Sequence, residues 1–364
     1  MFTLAGCWNY RSLNDITIVV GIALDKRDTN YILTFEIIDL IESSKETGVK
    51  TKVISTYGET IFDAIRNTKK KLANKLYFGY AYVMIICQDI AKEGIHEIMD
   101  FFLRDAEPRA TLFMTVSKEK TAQELLLTDG VDSSLVAYNI NFILKEDLKV
   151  TGSTLAVPFY KAYRAVKSKN AFALPALKVS EVLEGKKAIE SDGIAIFDDN
   201  KLISFLPADQ TKYFLYAINE IDGGLLEFTN FNKKIERITF EVFSCKTNLK
   251  HYYEDNQLKF TIKPYIKASI GEIMSITDVN LSYQDLIDIE HRAEDMLAER
   301  MKATVDYIRH RIGADVIGFE DYIYKNDLKL WKQIHENFKE LLKSAEISIE
   351  PNIHIINTGL TKNF

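Results

Sequence analysis

The residues with the clearest chemistry stand near the start of the chain, where Leu4, Ala5 and Gly6 lead directly into Cys7, followed by Trp8. A branched apolar residue, two small ones and a thiol is the order that bacterial lipoprotein signal peptides present to their processing enzymes. Small residues let the backbone enter a narrow peptidase cleft, and only a thiol can accept a diacylglyceryl group as a thioether. On that reading residues 1–7 are a remnant signal and lipobox, and the mature chain begins at Cys7. Two acyl chains, at about 0.8 kcal/mol per buried methylene, hold a protein on a bilayer where a single chain binds only reversibly. On these residues alone an ordinary buried cysteine stays open as the alternative.

Other reactive side chains form no recognisable constellation. Cys87 and Cys245 complete an odd set of three cysteines with no CxxC pair, which suggests neither a zinc site nor a redox dithiol. Each reads as a small buried hydrophobe, with a disulfide between them left open. His96-Glu97 and His335-Glu336 lack the second histidine of a zinc-protease motif, and the six histidines are scattered. There is no GxSxG elbow, no GxxxxGK[ST] loop and no GxGxxG after a strand. Glu290 and Glu294 lie four apart beside Arg292, which reads as an exposed charged helix face rather than an acid/base pair. The run Lys69-Lys70-Lys71 is the one dense basic patch and reads as the solvated face of a helix. No catalytic, metal or cofactor site is expected.

Composition agrees with a folded, non-nucleic-acid-binding chain. At 364 residues the protein exceeds one typical core and predicts two or three domains. Hydrophobic residues at 47%, with only 6 prolines, leave no stretch with the composition of a long disordered tail. The net charge of -6 argues against a nucleic-acid surface, and no apolar run reaches the roughly 18 residues a membrane span needs.

The elements that position these residues follow from periodicity. Asp15 to Asp25 and residues 29–40 predict a hairpin, and residues 49–57 a third strand. Ile61, Ile65, Leu72 and Leu76 fall on one stripe and predict a helix. Strand and helix then alternate through residues 80–117, predicting an α/β layer with a partly parallel sheet. Helices follow over 121–169, then a strand at 171–179. A composition shift near 188 marks a candidate boundary. Beyond it come a hairpin turning at Asp199-Asn200, a helix over 208–221, and three strands with turns near Asn248 and Asp255-Asn256. Leu286, Ile289, Ala293, Leu297, Met301, Val305, Ile308 and Ile312 predict a long helix against that meander. Leu330 to Leu342 predict a second helix, and 347–355 one alternating edge strand interrupted by Pro351. The expected fold class is α/β (α+β), with three domains of mixed sheets packed with helices: 8–188, a small middle domain 189–234, and 235–364, an antiparallel sheet with long helices.

The text from Leu4 to Lys26 resembles the opening of the Ger(x)C family, the C subunits of bacterial spore germinant receptors. That family has a lipobox, Cys-Trp-Asp, a basic residue and Glu, then a strand ending Gly-Ile-Gly-Ile-Asp. Cys7, Trp8, Arg11, Gly21, Ile22 and Asp25 fit, while Asn9 stands for the usual Asp and Ser12 for the usual Glu. Further on, Asp315, Gly318 and Phe319 sit in the place of Asp-Ile-Phe-Gly-Phe, Trp331 follows, and an alternating strand leads to Gly359; Phe338 replaces a second tryptophan. The resemblance runs along nearly the whole chain. It implies a lipoprotein without known catalysis, anchored through Cys7 on the outer face of the spore inner membrane and assembled with an A subunit and a transporter-like B subunit. The competing expectation is a lipid-anchored solute-binding protein whose interdomain cleft captures the germinant itself. A cytosolic α/β enzyme is more distant.

Overall fold

A computed structural model describes residues 15–45, 48–104, 107–128, 134–183, 185–275 and 281–357. The expectations for Leu4, Ala5, Gly6, Cys7, Trp8, Arg11 and Gly359 lie outside the described residues.

The first sheet grows from β1 (Ile16–Arg27), whose positions are nearly all buried, the pattern of a strand covered on both faces. β2 (Asn30–Ile38) returns antiparallel to it and β3 (Thr51–Gly58) antiparallel to β2, with α1 (Leu40–Lys45) in the connection. α2 (Ile61–Asn67) then carries the chain back, so that β4 (Lys75–Tyr77) and β5 (Val83–Ile86) both run parallel to β1. α3 (Gln88–Glu93) and α4 (His96–Arg104) cross over to β6 (Phe113–Ser117), parallel to β5. α5 (Gln123–Leu126), α6 (Val136–Val150) and α7 (Phe159–Ser168) lead to β7 (Phe172–Leu183), β8 (Lys186–Asp198) and β9 (Lys201–Leu206). The strand order is β3-β2-β1-β5-β6-β7-β8-β9, with β4 beside β1. Asp199 and Asn200 both take positive φ at the β8–β9 turn, as a two-residue hairpin requires.

α8 (Ala208–Ala217) leads into the second sheet, built on β10 (Gly224–Thr229), β11 (Ile235–Glu254) and β12 (Gln257–Ser275). α9 (Tyr283–Tyr307) lies on this sheet and winds into a π turn over Ile308–Ile312. α10 (Phe319–Asn326), α11 (Leu328–Ile334) and α12 (Phe338–Ser344) precede β13 (Glu346–Ile349) and β14 (Asn352–Asn357), which both pair parallel with β12. Leu258, Phe260, Ile262, Ile266 and Ala268 alternate along β12 and are buried in one core with Ile289, Ala293, Leu297 and Met301 of α9.

Two apolar cores result, and β8 serves both: Ala195 and Phe197 enter one, Ile194 and Ile196 the other. The boundary expected near 188 falls inside β8, and residues 189–234 supply side chains to both cores rather than to one of their own. The fold is α+β, with two mixed sheets packed by helices.

Several local expectations are corrected. The helix through Leu72 and Leu76 stops at Asn67, a 3-10 turn covers Thr68–Lys70, and Leu76 is buried in β4, where pairing with β1 overrides the helical stripe. The run at 235–275 forms two strands, not three: Asn248 sits inside an unbroken ladder opposite Lys263. The segment 330–342 is broken by a 3-10 turn at His335–Asn337. The last strand divides at Pro351 and runs parallel to β12, so the second sheet is mixed rather than antiparallel.

Candidate functional site

The N-terminal motif residues close β1 against its helices. At Gly21, where β1 shifts register, an added Cβ would stand 2.7 Å from the Ala137 Cβ and 3.1 Å from Leu126 Cδ2. Glycine therefore sets the approach of α6. Just below, fully buried Glu36 of β2 accepts the Val136 N–H at 2.8 Å and the Ala137 N–H at 2.7 Å, satisfying the first turn of α6. Asp25 does the same for α5, accepting from Ala122 N at 2.6 Å and Gln123 N at 3.0 Å. Burial pushes both carboxyl pKa values up, and the backbone donors pull them back. In open α/β sheets ligands usually sit beyond the carboxyl ends of the parallel strands, against helix N-termini. Here the chain's own Asp25 holds that place.

The C-terminal motif builds a different junction. Asp315 is partly buried and accepts three backbone N–H groups, from Gly318 and Phe319 at 3.0 Å each and Glu320 at 2.7 Å, capping α10. Gly318 takes φ 88°, a left-handed conformation that costs glycine least. Phe319 is thereby driven onto Phe260 of β12, ring centroids 4.4 Å apart. Trp331 packs edge-on to Tyr324 and Phe338. Burial raises the Asp315 pKa, again against its three donors.

Asp315 and Gly318 also line a cleft of about 740 Å³ between α7 and the α10–α12 segment. Its walls are charged but largely paired: Lys161 with Glu220 at 3.3 Å, Lys343 with Glu340 at 2.8 Å, and Lys325 with Asp321. Arg309 closes one side, donating from Nη2 to the carbonyls of Leu342 at 2.5 Å and Ala345 at 2.8 Å, at the end of α12. Among the described lining residues there is no histidine or cysteine, so no nucleophile is set beside an imidazole base.

Sequence reasoning missed Glu36, Arg309 and Asp147, which are isolated in the text and acquire partners only by folding. Asp147 accepts from Ser153 N at 2.7 Å, Thr154 N at 2.8 Å and Ser191 Oγ at 3.1 Å, tying the end of α6 to β8. Glu290 and Glu294 are not simply an exposed charged face: they accept the backbone N–H groups of Ile355 at 2.7 Å and Ile353 at 2.8 Å on β14. Cys87 and Cys245 are free thiols, each pushed up to about 11 by burial.

Helix-capping carboxylates, two mixed sheets and a charged cleft define a multi-domain α+β protein in which Gly21, Asp25, Asp315 and Gly318 lie at helix starts and close packing contacts. The chain belongs to the Ger(x)C family of spore germination proteins. Residues 9–179 match the family described as spore germination protein N-terminal domain, and residues 192–359 that described as spore germination B3/GerAC like, C-terminal. Spore germination protein B3 of Bacillus subtilis (strain 168) is 22% identical over 99% of this chain and 96% of its own. Spore germination protein KC of the same strain is 24% identical over 100% and 94%. The crystal structure of the GerBC protein superposes with a TM-score of 0.61 at 21% identity, covering 93% of this chain and 97% of that one. The family is not a known enzyme family. Among the described residues no helix is long and apolar enough to cross a membrane.

Proposed function

We propose that this chain is the lipid-anchored, non-catalytic subunit of a spore germinant receptor, required for nutrient-triggered germination through assembly with membrane A and B subunits. The observation that carries the reading is the collinear match to germination proteins from residue 9 to 359, directly preceded by Leu4-Ala5-Gly6-Cys7. Lipid on Cys7 would confine the folded units to a thin layer on the outer face of the spore inner membrane. That confinement raises their effective concentration toward membrane partners without strong pairwise contacts. Trp8, Arg11 and Gly359 are assigned to this interaction role, whereas Gly21, Asp25, Asp315, Gly318, Phe319 and Trp331 are assigned to the scaffold.

The test is intact mass of the mature protein expressed with its native upstream region in a Gram-positive host, beside Cys7→Ala. A chain starting at Cys7 with a diacylglyceryl mass, lost in the variant together with membrane fractionation, supports the anchor. An unmodified Met1 form with a free thiol sinks it.

The 740 Å³ cleft favours a second reading, direct capture of a small germinant. A solute receptor gains about 2.7 kcal/mol of stability at a hundredfold excess of ligand over its dissociation constant, and an assembly subunit gains none. Thermal melts across a panel of nutrient germinants separate the two.

A further inference from the structure

The basic run Lys69-Lys70-Lys71, which plays no part in the scaffold described above, belongs to a larger patch. β1, β4, β5 and β6 run parallel, so their N-terminal ends share one edge of the first sheet. Ile16 opens β1 at that edge, with Lys75 of β4 as its direct strand partner. The stretch Ile61–Lys75 carries five cations, Arg66, Lys69, Lys70, Lys71 and Lys75, against one carboxylate, Asp63, in a chain whose net charge is -6. Arg104 at the end of α4 and Arg109 before β6 reach the same edge.

Apolar groups are interleaved with these charges. Phe62 is 54% exposed, Leu103 51% and Tyr80 48%. Arg66 stacks over Phe62 at 4.8 Å and Arg109 over Tyr80 at 5.3 Å. Between α2 and α4 a cleft of about 490 Å³ has Phe62, Phe101 and Leu76 on its apolar side and Arg66, Lys69 and Arg104 among its polar lining. The acidic neighbours Asp100 and Glu107 are engaged with Arg104 and Lys75, while Lys69 and Lys71 donate to the neutral carbonyls of Ala73 at 2.7 Å and Ser55 at 2.6 Å, which leaves the positive charge of the run in excess.

We propose that this edge is a bilayer-docking face for anionic phospholipid, with Phe62 and Leu103 entering the headgroup region and the Lys69–Lys71 run meeting the lipid charge. The inference rests on the anchor reading above. Residues 7–16 span at most about 30 Å even when fully extended, so a lipid on Cys7 holds the start of β1, and with it this edge, close to the membrane. A lipid chain plus a polybasic patch is the two-signal arrangement that gives a fixed pose as well as attachment.

The experiment uses the unacylated full chain, Cys7→Ala, co-sedimented with vesicles of phosphatidylglycerol and phosphatidylcholine against phosphatidylcholine alone. Binding to the anionic vesicles that fades as salt is raised is expected. Lys69→Gln, Lys70→Gln and Lys71→Gln together should lower it about a hundredfold, at about fivefold per cation near the surface. Phe62→Ala, with the same charge, should also weaken it. Lys233→Gln, Lys234→Gln and Lys250→Gln on the second unit should leave it unchanged, and melting curves confirm that each variant is folded. Equal binding to neutral vesicles, no binding, or binding indifferent to the lysine run overturns the proposal. If vesicles are ignored but the same variants abolish co-purification of a receptor subunit, the face contacts protein and the lipid assignment fails. Because the assayed chain carries no lipid, failure here leaves the Cys7 mass measurement to judge the anchor independently.

Discussion

Removing the carboxylates of Glu290 and Glu294 should release the outer edge of the second sheet. The two side chains stand four residues apart on α9, about 6 Å along a helix, and the N–H groups they accept stand two residues apart on β14, about 6.7 Å along a strand. The matching spacings let one helix face hold the donors that the ladder with β12 leaves over, and so blunt an edge open to further pairing. A hydrogen bond to a charged group is worth about 1.5–3 kcal/mol when lost. The Glu290 side chain keeps 20% of its exposure, so solvent competes. A discounted value of about 1 kcal/mol each, or about 2 kcal/mol for Glu290→Ala with Glu294→Ala, corresponds to roughly a 30-fold change in a local opening equilibrium. Native-state hydrogen exchange should show the Ile353 and Ile355 amides exchanging faster by that factor, with residues 258–270 of β12 unchanged. Protection that stays within about twofold of wild type would refute the clamp. Equal loss along β12 would make the glutamates global stabilisers rather than a local clamp.

Gly21→Ala forces a methyl to within 2.7 Å of Ala137 and should destabilise the first unit by about 1–3 kcal/mol, read as a lower urea midpoint; an unchanged midpoint would mean that α6 shifts freely. Burial holds the Glu36 carboxyl above its ordinary 4.5, so its contribution to stability is complete below that pH and is lost as pH rises through the raised value. The stability advantage of wild type over Glu36→Gln in urea unfolding should therefore be larger at pH 4 than at pH 7, and the reverse order would show that the two backbone donors outweigh burial. With thiol pKa values near 11, Cys87 and Cys245 should be almost unreactive to a disulfide reagent at pH 8 in the folded Cys7→Ala chain, and both should react after unfolding. Rapid labelling of the native protein would contradict the burial of Cys87 and the partial burial of Cys245, which sits less deep than the sequence suggests.

Much of the architecture is legible in the sequence. The hairpin at β1 and β2, the Asp199-Asn200 turn and the apolar stripe of α9 depend on interactions between near neighbours, which periodicity and turn chemistry report directly. Leu76 misled because an apolar residue at helical spacing and one on a short buried strand are identical in text. Asn248 misled because a turn-forming residue in a long two-faced strand looks like punctuation until its partner, Lys263, is found on another strand.

The sequence by itself determined the family, the thiol at Cys7, the basic character of Ile61–Lys75 and which positions carry carboxylates. Only the tertiary structure decided what those carboxylates do. Asp25 and Glu36 find their backbone donors 97 to 101 residues away, and the Glu290 and Glu294 acceptors meet donors 59 to 65 residues on. A buried charge is tolerated where several donors converge on it. That convergence is a property of packed helix ends and strand edges, which no local stretch of sequence contains.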